Sequence, residues 1–180
     1  EELPGSISLL ITGDEEGPAI NGTTKVLDWM SNNNEVIDAC IVGEPTNPDY
    51  LGQMIKIGRR GSFTGWLTVT GVQGHTAYPH LAENPLSKLV KMLEPLAEEQ
   101  LDQGTEYFPP TTVAISSIDT GNSASNVIPQ KVTASFNIRF NDSRTAEDIE
   151  KWLRAHFDSV GGNYTLETAC SSNAFITEPG

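Results

Sequence analysis

The pattern of apolar and polar positions changes character near Gly58-Arg59-Arg60-Gly61. Before it lie two short continuous apolar runs, Ile7-Ser8-Leu9-Leu10-Ile11 and Ile37-Asp38-Ala39-Cys40-Ile41-Val42, each closing on a glycine. Runs of that length bounded by turn residues predict buried strands of an α/β sheet. Val26, Leu27 and Met30 recur between them at helical spacing, with Trp29 beside them, so a strand–helix–strand unit is expected. A short strand over 54–57 should follow.

Beyond residue 61 the signals are of another kind. Phe63, Gly65, Leu67 and Val69 alternate with Thr64, Trp66, Thr68 and Thr70, the period of a strand covered on one face. Asn84 is a good N-cap and Pro85 a good first helical residue, ahead of a stripe of Leu86, Leu89, Val90, Leu93, Leu96 and Ala97. Pro95 should remove the bond to the Lys91 carbonyl and kink or stop that helix early. Strands are expected over 111–118 and 131–140, the second with Val132, Ala134, Phe136, Ile138 and Phe140 on one side and Thr133, Ser135, Asn137 and Arg139 on the other. Thr145 to Asp148 reads as a capping box before a helix with Ile149, Trp152, Leu153, Phe157 and Val160 inward, and 163–169 as a last strand. The expectation is an α+β chain: a ferredoxin-like βαββαβ domain, four antiparallel strands under two helices, preceded by a βαβ strip of an α/β domain. Its boundaries fall at 1–58, 59–173 and 174–180.

Composition narrows the partners. With 11 basic against 24 acidic residues, a net charge of −13, nucleic acid and anionic membrane are disfavoured. No apolar run approaches membrane-spanning length and no signal-peptide pattern opens the chain; Cys40 and Cys170 lack metal-type spacing, so free thiols and a cytoplasmic setting are expected. A start at Glu-Glu-Leu-Pro, without Met, reads as an excised piece.

Candidate chemistry gathers at strand ends. The first run delivers Asp14, Glu15 and Glu16 onto a turn, and the second delivers Glu44. Closely packed carboxylates repel unless a cation holds them or one acts as a base beside a metal; an acidic solvated turn is the plain alternative. Since strand ends of α/β units share one sheet edge, Glu15, Glu16 and Glu44 should meet. The polar face of the βαββαβ sheet is left to solvent, a site or a second subunit, and its edge suits strand pairing across a two-fold axis.

Taken together, Ile-Thr-Gly-Asp-Glu-Glu-Gly at 11–17, Val-Gly-Glu-Pro-Thr at 42–46, Gly58-Arg59-Arg60-Gly61, Gly-His-Thr-Ala-Tyr-Pro-His at 74–80, Asn126-Val-Ile-Pro and Ile138-Arg139-Phe140 resemble the co-catalytic zinc peptidase and amidohydrolase family. Within it the likeness is greatest to the branch that removes succinyl groups. The resemblance implies two zinc ions, or cobalt, activating a water for hydrolysis of N-succinyl-L,L-diaminopimelate in lysine and diaminopimelate synthesis. It gives Glu15 the part of general base, Glu16 and Glu44 those of metal ligands, and His75 that of an oxyanion donor reaching across a homodimer. Arg59 and Arg139, with Tyr78 and Asn126 beside them, would line the substrate's carboxylates. Taken singly, Arg59 and Arg60 also read as surface charge, His75 as a turn cap, Asn126 as a turn residue, and His80 and His156 as structural.

The family's metal site further needs a His and an Asp upstream and a His downstream, which this sequence lacks. The chain alone is therefore expected to bind zinc weakly or not at all and to be inactive. An aminoacylase or dipeptidase of the same family, or a pure dimerisation module, are the alternatives.

Overall fold

A computed structural model describes residues 4–178. The chain forms two compact units that divide after Thr46.

In the first unit the structured element is helix α1, Thr23–Asn32. Asp14 organises the turn ahead of it: one carboxylate oxygen accepts from the backbone N–H groups of Ile20 and Asn21, both at 2.8 Å, and the Asp14 carbonyl accepts from Ala19. A side chain at Gly17 would meet that carboxylate at 2.9 Å. The strands expected over 7–11 and 37–42 are not formed, and neither is the one over 54–57. Strand N–H and C=O groups need a neighbouring strand, and these runs have no ladder among the described residues. Ile7, Leu9 and Ile41 are 81%, 85% and 97% exposed, whereas a parallel strand is buried on both faces.

The second unit carries the core. Its strands are β1 (Gly58–Arg59), β2 (Gly61–Thr70), β3 (Gly74–His75), β4 (Thr112–Asp119), β5 (Val127–Ile128), β6 (Lys131–Phe140), β7 (Asn163–Ser172) and β8 (Phe175–Ile176). Helices α2 (Pro85–Glu98) and α3 (Ala146–Val160) interrupt them. The main sheet runs β4-β6-β2-β7, all neighbours antiparallel. With α2 after β2 and α3 after β6, this is the βαββαβ order and the ferredoxin-like sheet. The short ladders β1–β8 and β3–β5 are additions without a periodic sequence signal.

Alternation places the core as expected. Val132, Ala134, Phe136, Ile138 and Phe140 are buried, while Thr133, Ser135 and Asn137 are half-buried and Arg139 exposed on the other face. Phe63, Leu67 and Val69 of β2 join them under Leu89, Leu93, Leu96, Ile149, Leu153 and Phe157. The α2 stripe is rotated from expectation: Met92 is fully buried, whereas Val90 is 66% exposed and Ala97 is at the surface. Caps match the sequence: the Asn84 side chain accepts from Leu86, and Thr145 and Asp148 form a reciprocal capping box. Helix α2 passes Pro95 and ends at Glu98, within the next turn. At Gly61 and Gly65 the strand backbone lies under the rings of Phe140 and Phe136, which an added Cβ would approach to 2.1 and 2.4 Å.

Candidate functional site

The expected site residues fall into groups, and the structure treats each group differently. Glu15 and Glu16 sit on the turn held by Asp14, and Glu44 in the coil after the second apolar run; all three side chains are exposed. Their expected convergence does not occur: among the described residues no three His, Cys, Asp or Glu side chains gather closely enough to hold a metal ion. Without the two strands nothing aligns their ends on one edge, and repulsion between carboxylates favours separation. The donor set as placed does not fit a dinuclear metal centre.

Arg59 and Arg139, distant in sequence, do come together. The register of β2 against β6 pairs Gly61 with Phe140 and Ser62 with Arg139, so the end of β6 lies beside the chain leaving β1. They line a cleft of about 320 Å³ with Lys56, Arg60, Phe108 and Pro109. Arg60 reaches across to the Thr112 hydroxyl at 3.4 Å. The ion pairs among the described residues are Lys88–Glu83, Arg144–Asp102 and Arg154–Glu150, so none of the cleft's cations is neutralised by a carboxylate there. On a chain of net charge −13 this is a local concentration of positive charge with an apolar wall. Guanidinium groups in such a cleft suit planar carboxylates, which accept two parallel hydrogen bonds. Lys56 and Arg60 carry no separate sequence signal beyond their nearness to Arg59.

His75, Tyr78 and Asn126 form another group, at the opposite end of β2. The β3–β5 ladder pairs His75 with Val127, and the Thr76 N–H donates to the Asn126 carbonyl at 3.0 Å. The rings of His75 and Tyr78 lie 5.9 Å apart, with His80 6.4 Å beyond Tyr78. His75 does cap a turn: its Nδ1 accepts from the Ala77 N–H at 3.0 Å. That bond has a chemical consequence, because an imidazole accepting at Nδ1 carries its proton at Nε2. The exposed ring thus presents an N–H donor to solvent.

The third well-defined polar assembly was not singled out by sequence. Asp102 accepts from the backbone N–H groups of Gly104 (2.9 Å) and Thr111 (3.0 Å), from Asn141 Nδ2 (2.7 Å) and from Arg144 Nε (3.3 Å). Burial works to raise its pKa, but the bonds from Thr111, Gly104 and Asn141 together prevail and hold it at about 2. Asp102-Gln-Gly104 is an Asx-turn sequence, which was the available signal.

Cys40 and Cys170 are free and exposed. Among the described residues no helix is long and apolar enough to cross a membrane.

Known proteins fit this architecture. A succinyl-diaminopimelate desuccinylase of Rhodospirillum centenum is 62% identical over 176 residues, 98% of this chain and 46% of the relative. The protein of the same name from Parvibaculum lavamentivorans is 55% identical over 184 residues, covering 100% of this chain and 47% of the relative. The chain thus spans about half the length of the curated relatives it matches. A crystal structure of an amidase of the hydantoinase/carbamoylase family from Burkholderia multivorans superposes with a TM-score of 0.57 at 17% identity, over 68% of this chain and 30% of that one; the likeness is one of fold. Residues 57–165, which hold β2, β4 and β6 of the main sheet and the start of β7, match the M20 family described as the peptidase dimerisation domain, and the chain belongs to that family.

Proposed function

We propose that this chain is the lid and dimerisation portion, with part of the catalytic portion, of a zinc-dependent amide hydrolase that cleaves N-succinyl-L,L-diaminopimelate to succinate and L,L-diaminopimelate. The names of its relatives at 62% and 55% identity support the substrate. The unneutralised cleft of Arg59, Arg60, Arg139 and Lys56 supports a substrate that is a polycarboxylate, since each carboxylate needs a cationic or hydrogen-bonding partner when it leaves water.

One observation carries the reading. Arg139 and His75 lie at opposite ends of the paired strands β2 and β6, each of 10 residues and so about 30 Å long. A small amide substrate cannot touch both within one chain. A two-fold dimer resolves this, with the arginines of one protomer and the His75 of its partner serving the same site. There the Nε2–H of His75 is a donor for the oxygen that becomes an oxyanion when water adds to the succinyl carbonyl. The cleft arginines hold carboxylates and fix the amide's position. Tyr78 and Asn126 line the His75 side. Glu15, exposed on its Asp14-held turn, is the candidate base that takes the proton from water, and Glu16 and Glu44 are the candidate metal ligands, although as placed they form no metal-holding group among the described residues.

Complementation tests the shared site. In the enzyme of which this chain would be part, His75→Ala and Glu15→Gln variants are each expected to be nearly inactive. Mixed and allowed to exchange protomers, they should recover about a quarter of wild-type activity, because half of the dimers are mixed and each has one intact site. No recovery, with exchange demonstrated, excludes the shared site. A substrate panel with the complete enzyme separates this reading from an aminoacylase or dipeptidase: turnover of the succinylated substrate without turnover of N-acetyl amino acids or dipeptides fits the desuccinylase, and the reverse overturns it.

A second reading is a pure dimerisation module, favoured by the confinement of the core to the second unit. Sedimentation with and without zinc distinguishes it: a dimer indifferent to zinc fits the module.

A further inference from the structure

The loop between α2 and β4 supplies the apolar wall of the cationic cleft through Phe108 and Pro109. It has no secondary structure over 99–111, yet it is tied down at many points. Asp102 takes the backbone N–H groups of Gly104 at one end and Thr111 at the other, closing the loop on itself. The side chains of Asn141 and Arg144, just past the end of β6, both donate to the same carboxylate. Asn141 Nδ2 also lies 3.4 Å from the Pro109 carbonyl, and the Arg144 guanidinium meets the Leu101 carbonyl. Asn141 is fully buried, so its amide cannot exchange these partners for water. Inside the loop, the Thr105 N–H donates to the Phe108 carbonyl at 2.9 Å, and Gly104 takes φ +84, where a Cβ would come within 2.7 Å of that carbonyl. The Phe108 ring abuts Gly58, 2.9 Å from where a Cβ would stand. Arg139 stands next but one before Asn141 in sequence, so the residue that anchors the loop and the residue that faces the anion share one strand end.

We propose that Asp102, through Asn141 and Arg144, is the positioning residue of the anion cleft: it fixes Phe108 and Pro109 as the wall against which Arg59 and Arg139 grip a carboxylate ligand. The inference rests on the reading of that cleft as a carboxylate site. Asp102 does not touch the ligand. Its carboxylate holds the loop that shapes the space, so the arginines meet the ligand without first ordering the wall. Leaving the buried Asn141 amide without this acceptor would carry the desolvation penalty of an unsatisfied donor.

Succinate is the probe, titrated into the 180-residue chain and followed by NMR shifts of the Arg Nε–H groups and by amide hydrogen exchange over 103–110. Arg139→Ala should abolish binding. Asp102→Ala should weaken it roughly tenfold and speed exchange across the loop, with Asp102→Asn intermediate because it keeps an acceptor for the loop's N–H groups. Asn141→Ser gives the same direction should Asp102→Ala fold poorly. Asp148→Ala, which removes the α3 capping box, should destabilise the fold and leave the succinate affinity at the wild-type value. If Asp102→Ala and Asn141→Ser bind as wild type while Arg139→Ala does not, the positioning role is overturned and the cleft reading stands. If Arg139→Ala binds as wild type, or wild type does not bind succinate, the cleft reading fails and the positioning role with it.

Discussion

The Nε2 atom of His156 on α3 lies 3.2 Å from the carbonyl oxygen of Lys91 on α2. In an unbroken helix that carbonyl would accept from residue 95, which here is Pro95 and has no N–H. A carbonyl can only accept, so the imidazole donates from Nε2. The proline therefore does not end the helix at once, because a neighbouring helix supplies the missing donor.

His156→Ala should destabilise the second unit by about 1 kcal/mol, the ordinary net value of one such bond. In a Pro95→Ala background the helix regains its own donor, and the same substitution should cost measurably less. Urea denaturation of the four proteins of the cycle gives the coupling. An unchanged cost in the Pro95→Ala background would mean that His156 acts by packing on Phe157, whose ring centroid is 5.8 Å away, and not by replacing the lost bond.

The pH dependence of stability isolates Asp102. Its carboxyl is held at about 2 against an ordinary 3.8, so the folded state binds a proton less readily than the unfolded chain. The stabilisation is fully present above pH 4 and is lost as pH falls from there through 2. Wild type should exceed Asp102→Asn by a constant margin near neutrality, and that margin should shrink by about 1–2 kcal/mol across this acid window. Denaturation curves for both proteins at several pH values measure it, and taking the difference removes the titration of the other carboxylates. A margin constant down to pH 2 would show that the bonds to Thr111, Gly104 and Asn141 do not favour the ionised form.

Much of the second unit was legible in the sequence because its signals are local. Alternation over Lys131–Phe140 reports burial on one face, Asn84 and Thr145 report helix starts, and a βαββαβ order then leaves few sheet arrangements. The first unit was not legible in the same way. An apolar run such as Ile7 to Ile11 states that it would be stable if covered, but whether a strand lies beside it depends on residues elsewhere. Met92 in place of Val90 on the inner side of α2 is a rotation of the stripe that composition alone does not fix, since both residues are apolar. Arg59 and Arg139 were named from resemblance; their meeting follows from the register of β2 on β6, which no local pattern encodes. The Asp102 assembly joins a loop to a strand end across 39 positions and has only its Asx-turn as a trace.

Glycine in β2 is a packing requirement. Gly65 sits opposite Phe136, and its Cβ position is 2.4 Å from a ring whose residue is fully buried. The ring has no solvent to move into, so Gly65→Ala should cost about 1–3 kcal/mol despite alanine's better backbone entropy. Gly43, with open space around its Cβ position, is the control and should tolerate alanine. Thermal unfolding of both variants decides it. A neutral Gly65→Ala would mean that β2 and β6 shift apart at little cost.

In the proposed two-fold dimer, exposed apolar surface points to β4 as the shared edge. Both β4 and β7 are open edges of the main sheet. On the β4 side, Ile118 is 55% exposed and Val90 of the packed helix α2 is 66% exposed. On the β7 side the outward positions include Thr165 and Glu167, and α3 carries the Arg154–Glu150 ion pair. Charged side chains discourage strand-to-strand association, whereas exposed apolar ones are relieved by it. The bulge between Ile115 and Ser117 bends β4 and limits how much of its edge a partner strand can follow, so α2 must contribute to the contact. Val90→Glu with Ile118→Glu should therefore convert a dimer to a monomer in sedimentation velocity and leave the thermal stability of the protomer nearly unchanged, since neither side chain is in the core. Thr165→Glu on the other edge should leave the dimer intact. If Thr165→Glu dissociates the protein and the Val90 and Ile118 pair does not, the two-fold axis lies beside β7, and sharing of His75 between protomers must then be reached through that edge.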